Sequence, residues 1–412
     1  MASRTHVVGE TAHRQTIEVG EQRRMLAEQW TSLLGRIRAT AGFDQFLRPP
    51  GMDRLHEQAA DGPIIMVYSS RWGSGASIVT GDPEQRVRVV PLPDLTPTAA
   101  AQQVNRLWDA LRAVDGDFTG RARAQQEMHA LLGWLWDAIT GPVLRELGIA
   151  EPSGPRPRVW WGLVGVLAYL PIHAAGHHNQ AGQRSVLDRT VSSYLTTIRA
   201  LEHARARPAA PADSAAIIAM PTTPDAPDLP QVDKEIHALS GVLPDTRIIT
   251  GPAATHHAVA EALARHPVAH FSCHGLANLI DPAASELLLY DYATAPFTVA
   301  ALARLHLADA SLAYLSACST THTSPDLADE AIHLTGAIHL AGYGHVVGTL
   351  WPVNDLAATA IATDFYAYLT NGGTELPDVA HSALALSEAT LRLRDRYPAL
   401  PTRWAAHHHQ GS

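Results

Sequence analysis

The chain has 412 residues, of which 46% are hydrophobic and 17% charged, a balance typical of globular domains and not of disordered chains. Its formal net charge is −9, so electrostatics give no reason to expect nucleic acid as the main partner. Two cysteines are too few for a disulfide scaffold, and a polar N-terminus without a long apolar run predicts a soluble, cytoplasmic protein with no membrane segment.

Residues 1–60 are predicted to form an N-terminal helical segment. Over residues 21–48 apolar side chains recur every three to five positions and form one stripe, the pattern of an amphipathic helix. Pro49, Pro50 and Gly51 end that helix. A single unit of this kind cannot establish a helical repeat.

Residues 61–120 are predicted to form a small β-meander and a linking helix. Short apolar runs separated by glycine-containing turns are typical of antiparallel strands. These runs cover residues 64–68, 76–80 and 87–90, and helical stretches follow around residues 99–114 and 121–147.

Residues 121–412 are predicted to form the third unit, with a catalytic core at about 213–412. One or two buried strands are expected at residues 159–172, and the alanine- and proline-rich segment 203–213 marks an internal boundary. Beyond it, apolar runs without alternation are interleaved with helical patterns, which indicates a mostly parallel sheet covered by helices on both faces. The predicted strands are residues 215–220, 268–272, 285–289, 312–316 and 346–350, and the predicted helices are residues 232–243, 256–265, 329–341 and 356–369.

Two of these strands end in residues that suit a thiol peptidase. One leads into Cys273, His274 and Gly275, and the other leads into Cys318. Such an enzyme needs a thiolate, an imidazole that moves protons, and backbone N–H groups facing the developing oxyanion. His274 and Cys318 are therefore the candidate catalytic pair, with the amides of Gly275 and Cys318 as candidate oxyanion donors. A buried cysteine is also a common core residue, so the pattern alone leaves a structural role open.

Three motifs resemble those of CHAT domains. Residues 270–275 (His-Phe-Ser-Cys-His-Gly) and 315–320 (Leu-Ser-Ala-Cys-Ser-Thr) resemble the two catalytic motifs of that family. Residues 348–355 (Gly-Thr-Leu-Trp-Pro-Val-Asn-Asp) are similar to its Leu-Trp-Pro-Val-Asp-Asp stretch. Residues 170–173 look like an upstream element of the family and residues 404–406 like its closing strand, so the resemblance covers roughly residues 120–412.

The resemblance implies a caspase-like three-layer α/β sandwich, related to caspases, separases and gingipains. It also implies an endopeptidase that uses a His-Cys dyad without a metal, and a role in bacterial signalling or defence as a partner-activated effector. Three departures stand out. Cys273 occupies a position where the family usually has a small residue, Asn354 replaces an aspartate, and three histidines follow Ala406 where apolar residues are common.

The predicted enzyme uses no cofactor and no metal. No Cys-x-x-Cys, His-Glu-x-x-His or phosphate-loop motif occurs, although the chain has 23 histidines. The expected partners are a protein or peptide substrate and an activating protein, with neither nucleic acid nor membrane. The alternative is a catalytically silent CHAT fold that serves as an interaction scaffold, and the filled dyad positions favour the enzyme.

Acidic residues near the predicted strand ends indicate a preference for a basic residue before the cleaved bond. Asp355 is the last residue of the third motif, and the segment after Cys318 carries further carboxylates. A partly desolvated carboxylate favours arginine or lysine. The predicted substrate-binding residues are Asp355, Asp326, Asp329 and Glu330. Equally, Asp355 could cap the helix that begins near residue 356.

Overall fold

The computed structural model describes residues 5–412 except 85–86, 115, 150, 152–153, 180–183, 208–209, 277, 279–280, 306 and 317–333. The chain divides between Arg54 and Leu55 into a small N-terminal unit and a large unit. The predicted domain boundaries at residues 60 and 120 stay a prediction. Among the described residues, no helix is long and apolar enough to cross a membrane.

The N-terminal unit consists mainly of one helix, α1 (Thr5–Arg38). This helix is shorter at its C-terminal end than the predicted helix over residues 21–48, because turns begin after Arg38. The Arg38 guanidinium donates hydrogen bonds to the backbone oxygens of Phe46 and Leu47, at 2.8 and 3.1 Å, and so holds those turns against the helix end.

Helices and strands alternate through the large unit. The remaining helices are α2 (Met52–Gln58), α3 (Pro97–Ala113), α4 (Phe118–Leu135), α5 (Gly141–Glu146), α6 (Val186–Arg189), α7 (Ile198–Arg205), α8 (Val232–Ser240), α9 (His256–Leu263), α10 (Val299–Leu302), α11 (Leu334–Ala341), α12 (Asp355–Leu369), α13 (Ser382–Arg396) and α14 (Pro401–Trp404). The strands are β1 (Ile64–Ser70), β2 (Gly73–Val79), β3 (Val87–Pro91), β4 (Arg158–Leu163), β5 (Val191–Tyr194), β6 (Ala215–Ala219), β7 (Thr246–Thr250), β8 (Val268–Ser272), β9 (Gly275–Leu276), β10 (Glu286–Leu287), β11 (Phe297–Thr298), β12 (Leu312–Leu315), β13 (His345–Thr349) and β14 (His407–Gly411).

Eleven strands of the described chain form one mixed sheet in the order β3-β2-β1-β4-β5-β14-β13-β12-β8-β6-β7. Strands β12, β8, β6 and β7 run parallel to one another, as does β12 to β13. The meander β1–β2–β3 is antiparallel, as predicted, and extends the same sheet because β1 pairs in parallel with β4. Strand β14, late in the chain, lies between β5 and β13 and pairs with β13 in antiparallel register.

Alternate residues of the central strands enter two different hydrophobic clusters, which shows that helices cover both faces. Ile217 of β6 packs in one cluster with residues of α8 and α12, whereas its neighbour Ile218 packs in the other with residues of α9 and α11. This is the arrangement of strands buried on both faces. The structure therefore has the predicted three-layer α/β sandwich.

Besides α1, three predicted elements differ from the structure. The strand predicted at residues 285–289 is reduced to β10, which belongs to a separate antiparallel sheet in the order β11-β10-β9. Residues 159–172 contain only β4, after which the chain turns through 3₁₀ helices at Gly165–Tyr169 and Ile172–Ala174. The first of these starts at Gly165, whose φ of 63° suits glycine.

The closing strand begins at His407 and not at Trp404, which ends α14 instead. The three histidines of β14 are buried in the sheet centre. A buried imidazole is tolerated when it is neutral, and burial lowers the pKa of His407 to about 4.

Candidate active site

The carboxyl ends of β8 and β12 lie side by side, and both candidate catalytic residues follow them in the chain. The two strands are parallel neighbours with Leu315 beside Phe271, and the Ser316 amide donates to the Phe271 carbonyl at 2.8 Å. Functional groups collect at this edge of parallel sheets. His274 lies at the end of β8, two residues after Ser272. Cys318, two residues after Ser316 in the sequence, lies outside the described residues, as do Asp326, Asp329 and Glu330.

His274 is half-buried, and a backbone carbonyl holds its ring. Its Nε2 atom lies 2.7 Å from the oxygen of Pro227, in the loop between β6 and α8. A carbonyl oxygen can only accept, so Nε2 carries the hydrogen and donates it. In the neutral ring the Nδ1 atom then has the lone pair and can accept a proton. The backbone of His274 is held as well, because its carbonyl accepts from the Leu288 amide at 2.8 Å.

The two neighbours of His274 have different surroundings. Gly275 starts strand β9 and pairs with Leu287 of β10, at the rim of the site. Cys273 is fully buried and packs in the cluster that covers the opposite face of the sheet from α8. Cys273, the thiol next to the candidate catalytic histidine in the sequence, is therefore a core residue.

Asp355 is the first residue of α12, the helix that follows β13 in the chain. The side chain of Asn354 caps this helix by accepting from the Leu356 amide at 3.2 Å, so the assignment of the cap to Asp355 is wrong. Burial and the charge of Glu235 raise the pKa of Asp355, whereas His274 and a backbone hydrogen bond from Gln231 lower it. The effect of burial is the largest, and the pKa of Asp355 lies above its ordinary value.

A buried carboxylate that the sequence interpretation missed connects the two strand ends. Glu235, on α8, accepts a hydrogen bond from Ser272 Oγ at 2.8 Å with one oxygen and from Ser316 Oγ with the other. His270 Nε2 lies 3.3 Å from the second oxygen and 3.0 Å from Ser272 Oγ, while its Nδ1 lies 3.3 Å from the Tyr366 hydroxyl. Glu235 is only 3% exposed, so these groups replace water as its hydrogen-bond partners.

Glu235 is ionised in this network. Burial raises its pKa, but the hydrogen bond and charge of His270 and the hydroxyls of Ser316 and Ser272 outweigh that effect, and the pKa lies below its ordinary value. A carboxylate with several donors is stabilised in this way even when it is buried. The signal available in the sequence was a serine at the same place in both motifs, two residues before His274 and two before Cys318.

No group of three or more histidine, cysteine, aspartate or glutamate side chains within the described part of the chain is arranged to hold a metal ion.

Comparison with known proteins identifies the family. The model of the CHAT domain matches residues 129–412, more than half of the chain. Two crystal structures of the Saccharomyces cerevisiae separase–securin complex are similar, with TM-scores of 0.62 and 0.61, 10% sequence identity, and coverage of 87% of this chain. The chain spans only 30% and 31% of the length of those separase chains. A complex of the pro- and mature domains of Porphyromonas gingivalis RgpB matches at a TM-score of 0.44 and 12% identity, covering 77% of each chain.

No curated protein matches the sequence. The separase likeness, at 10% identity, is a likeness of fold, and it agrees with the three-layer sandwich described above. On the extent of the match to its domain model, the chain belongs to the CHAT domain family.

Proposed function

We propose that the chain is a cysteine endopeptidase in which His274 and Cys318 form the catalytic pair. The observation that carries the proposal is the setting of His274, at the carboxyl end of β8, with Nε2 held by Pro227 and Nδ1 left as the proton acceptor. The neighbouring strand β12 ends where the chain continues to Cys318.

The proposed reaction has two halves. In the first, His274 Nδ1 takes the thiol proton of Cys318, and the thiolate attacks the scissile carbonyl carbon. The amides of Gly275 and Cys318 stabilise the oxyanion of the tetrahedral intermediate. The carbon–nitrogen bond then breaks as the imidazolium donates its proton to the leaving amine. In the second half, His274 takes a proton from water, the hydroxide attacks the thioester, and the proton returns to the Cys318 sulfur.

Two fixed groups support the imidazole in this cycle. The Pro227 carbonyl accepts from Nε2–H in both protonation states and prevents the ring from turning. The carboxylate of Asp355, which His274 influences electrostatically, favours the positive charge that His274 carries after the thiol is deprotonated.

We further propose that the substrate presents a basic residue before the cleaved bond. Asp355 supports this because its carboxylate is partly buried at the start of α12, where a charge-assisted hydrogen bond to arginine or lysine is favourable. Asp326, Asp329 and Glu330 add negative charge to the segment that follows Cys318 in the sequence. The substrate is a protein or peptide. A protein partner activates the enzyme, which acts in bacterial signalling or defence.

Incubation with a peptide library tests the activity. The wild-type protein should cleave peptides, and Cys318→Ala should not. A chelator should leave the activity of the wild type intact, whereas iodoacetamide should abolish it. A wild type that stays inactive, also after an activating partner is sought in lysate fractions, would favour the silent scaffold. Loss of activity with a chelator and recovery with zinc would contradict the dyad mechanism. Because a chelator also removes calcium, calcium is added back in a separate reaction.

A further inference from the structure

Glu235 contacts the ends of the two strands that lead to the catalytic pair. Ser272, the last residue of β8, and Ser316, the residue after β12, are lateral neighbours, because Phe271 and Leu315 pair in register immediately before them. Both serines are fully buried, and each donates its only hydroxyl proton to a different oxygen of the Glu235 carboxylate. A carboxylate without a proton cannot donate, so both hydroxyls must point toward it.

The Glu235 carboxylate is also held by the His270 ring. His270 lies between Glu235 and the Tyr366 hydroxyl of α12, and its ring stacks on Tyr314 with the centroids 5.1 Å apart. The position of Glu235 is therefore set by α8, by the sheet and by α12 together. Any shift of one strand end relative to the other would break one of its two serine hydrogen bonds.

The Ser272, His270 and Glu235 side chains include the residue types of a serine hydrolase triad, but they cannot act as one. His270 and Ser272 have no exposed surface, so a substrate carbonyl cannot reach the hydroxyl. In addition, Ser272 Oγ directs its proton to Glu235 and not to the imidazole. The group is a structural network beneath the strand ends, and its effect on catalysis must be indirect.

We propose that Glu235 is a positioning residue, which sets the spacing of His274 and Cys318 by holding Ser272 and Ser316 at adjacent strand ends. This inference rests on the proposed peptidase function. Each serine precedes its catalytic partner by two residues, so a displacement of the serine is passed on through two peptide units. A misplacement of about 1 Å between reacting groups can lower a rate about 100-fold.

The test uses kcat normalised to active sites that are titrated with an irreversible peptidyl alkylating agent. Glu235→Ala is expected to lower kcat per titrated site about 100-fold while KM stays near its wild-type value. Ser272→Ala and Ser316→Ala should each lower kcat by less than Glu235→Ala does. Ser316→Thr, which keeps the hydroxyl, should retain most of the wild-type kcat. Ser193→Ala is the matched control, because Ser193 is a buried serine of the same sheet that bonds to a histidine, His409, at 2.7 Å.

A double-mutant cycle separates positioning from a loss of stability. If Glu235 acts through Ser316, the combined variant Glu235→Gln/Ser316→Ala should lose less kcat than the product of the two single losses. Should Glu235→Ala fail to fold, Glu235→Gln and the serine variants carry the test. Unchanged kcat per titrated site in all of these variants, with only a lower Tm, would overturn the proposal. An inactive wild type would instead overturn the peptidase function itself and this inference with it.

Discussion

The Nε2 atom of His274 lies 2.7 Å from the backbone oxygen of Pro227, a residue 47 positions earlier in the chain. The imidazole is therefore oriented by a main-chain group, and within the described residues the acceptor for Nε2–H is a backbone oxygen and not a side chain. Substitution of residue 227 cannot remove that acceptor, since every residue has a carbonyl group. This distinguishes the site from one in which a carboxylate side chain orients the histidine.

His274→Ala should lower kcat by about 10²- to 10⁴-fold, because it removes the group that moves the proton. Pro227→Ala should keep most of the activity, since the carbonyl remains. His257→Ala, at an exposed histidine of α9, is the matched control. Steady-state kinetics on one fluorogenic peptide measure all three variants. A loss in Pro227→Ala as large as that in His274→Ala would contradict orientation by the backbone.

The two cysteines should differ in reactivity as well as in function. Cys273 is fully buried in the core, so iodoacetamide should alkylate Cys318 alone in the folded protein, as peptide mass mapping would reveal. Cys318→Ala should abolish peptidase activity. Cys273→Ala should keep it and lower the free energy of unfolding by about 1 kcal/mol through the lost core contacts. Preferential alkylation of Cys273, with activity surviving in Cys318→Ala, would reverse the assignment.

Asp355→Asn should lower kcat/KM for a peptide with arginine before the cleaved bond. A charge-assisted hydrogen bond contributes about 1.5–3 kcal/mol, which corresponds to about a 10- to 150-fold loss. Asp364→Asn, on the exposed side of the same helix, is the control. A wild type that cleaves an aspartate peptide faster than the arginine peptide would refute the acidic pocket. An arginine preference that survives Asp355→Asn would transfer the role to Asp326, Asp329 or Glu330.

Acid should destabilise the protein through its buried histidines. Burial lowers the pKa of His173 and His345 to about 3 and that of His407 to about 4, against 6.5 in the unfolded chain. Between these values the unfolded state binds more protons than the folded state, so stability falls as the pH falls from about 6.5 toward 4. Within that range each such histidine lowers the free energy of unfolding by about 1.4 kcal/mol for every unit by which the pH falls.

Thermal unfolding between pH 4.5 and 7.5 measures this dependence, and one substitution tests its origin. The His407 ring nitrogens have no hydrogen-bond partner among the residues described. His407→Leu should therefore reduce by about one the number of protons that the chain takes up on unfolding in this pH range. An identical pH dependence in His407→Leu and the wild type would refute the assignment.

The fold and the strand ends could be predicted because buried parallel strands appear in the sequence as continuous apolar runs. The apolar runs that precede His274 and Cys318 are of this kind. His274 and Cys318 themselves come after the ends of the two strands. Glu235 could not be predicted in the same way. It contacts serines 37 and 81 positions away, and those contacts depend on how α8 packs on the sheet. Pro227 gave no signal either, since it acts through its backbone.

The buried histidines of β14 show a different limit. Histidine is a polar residue that is charged when protonated, so the run at residues 407–409 stood out as a departure from the expected apolar strand. In the structure the strand begins there, because a neutral imidazole can occupy the sheet interior. The residue type alone does not reveal which protonation state the fold will impose.

The central location of β14 has a consequence for the order in which the protein folds. Strands β1–β5 and β6–β13 are synthesised before the strand that lies between them, so during translation the β5 and β13 edges have no partner on that side. Unpaired edges of this kind are prone to wrong pairing with other chains. The β13 edge, in the half of the sheet that carries His274, therefore has to stay protected until residues 407–411 leave the ribosome, because an unpaired edge exposes the incomplete chain to aggregation.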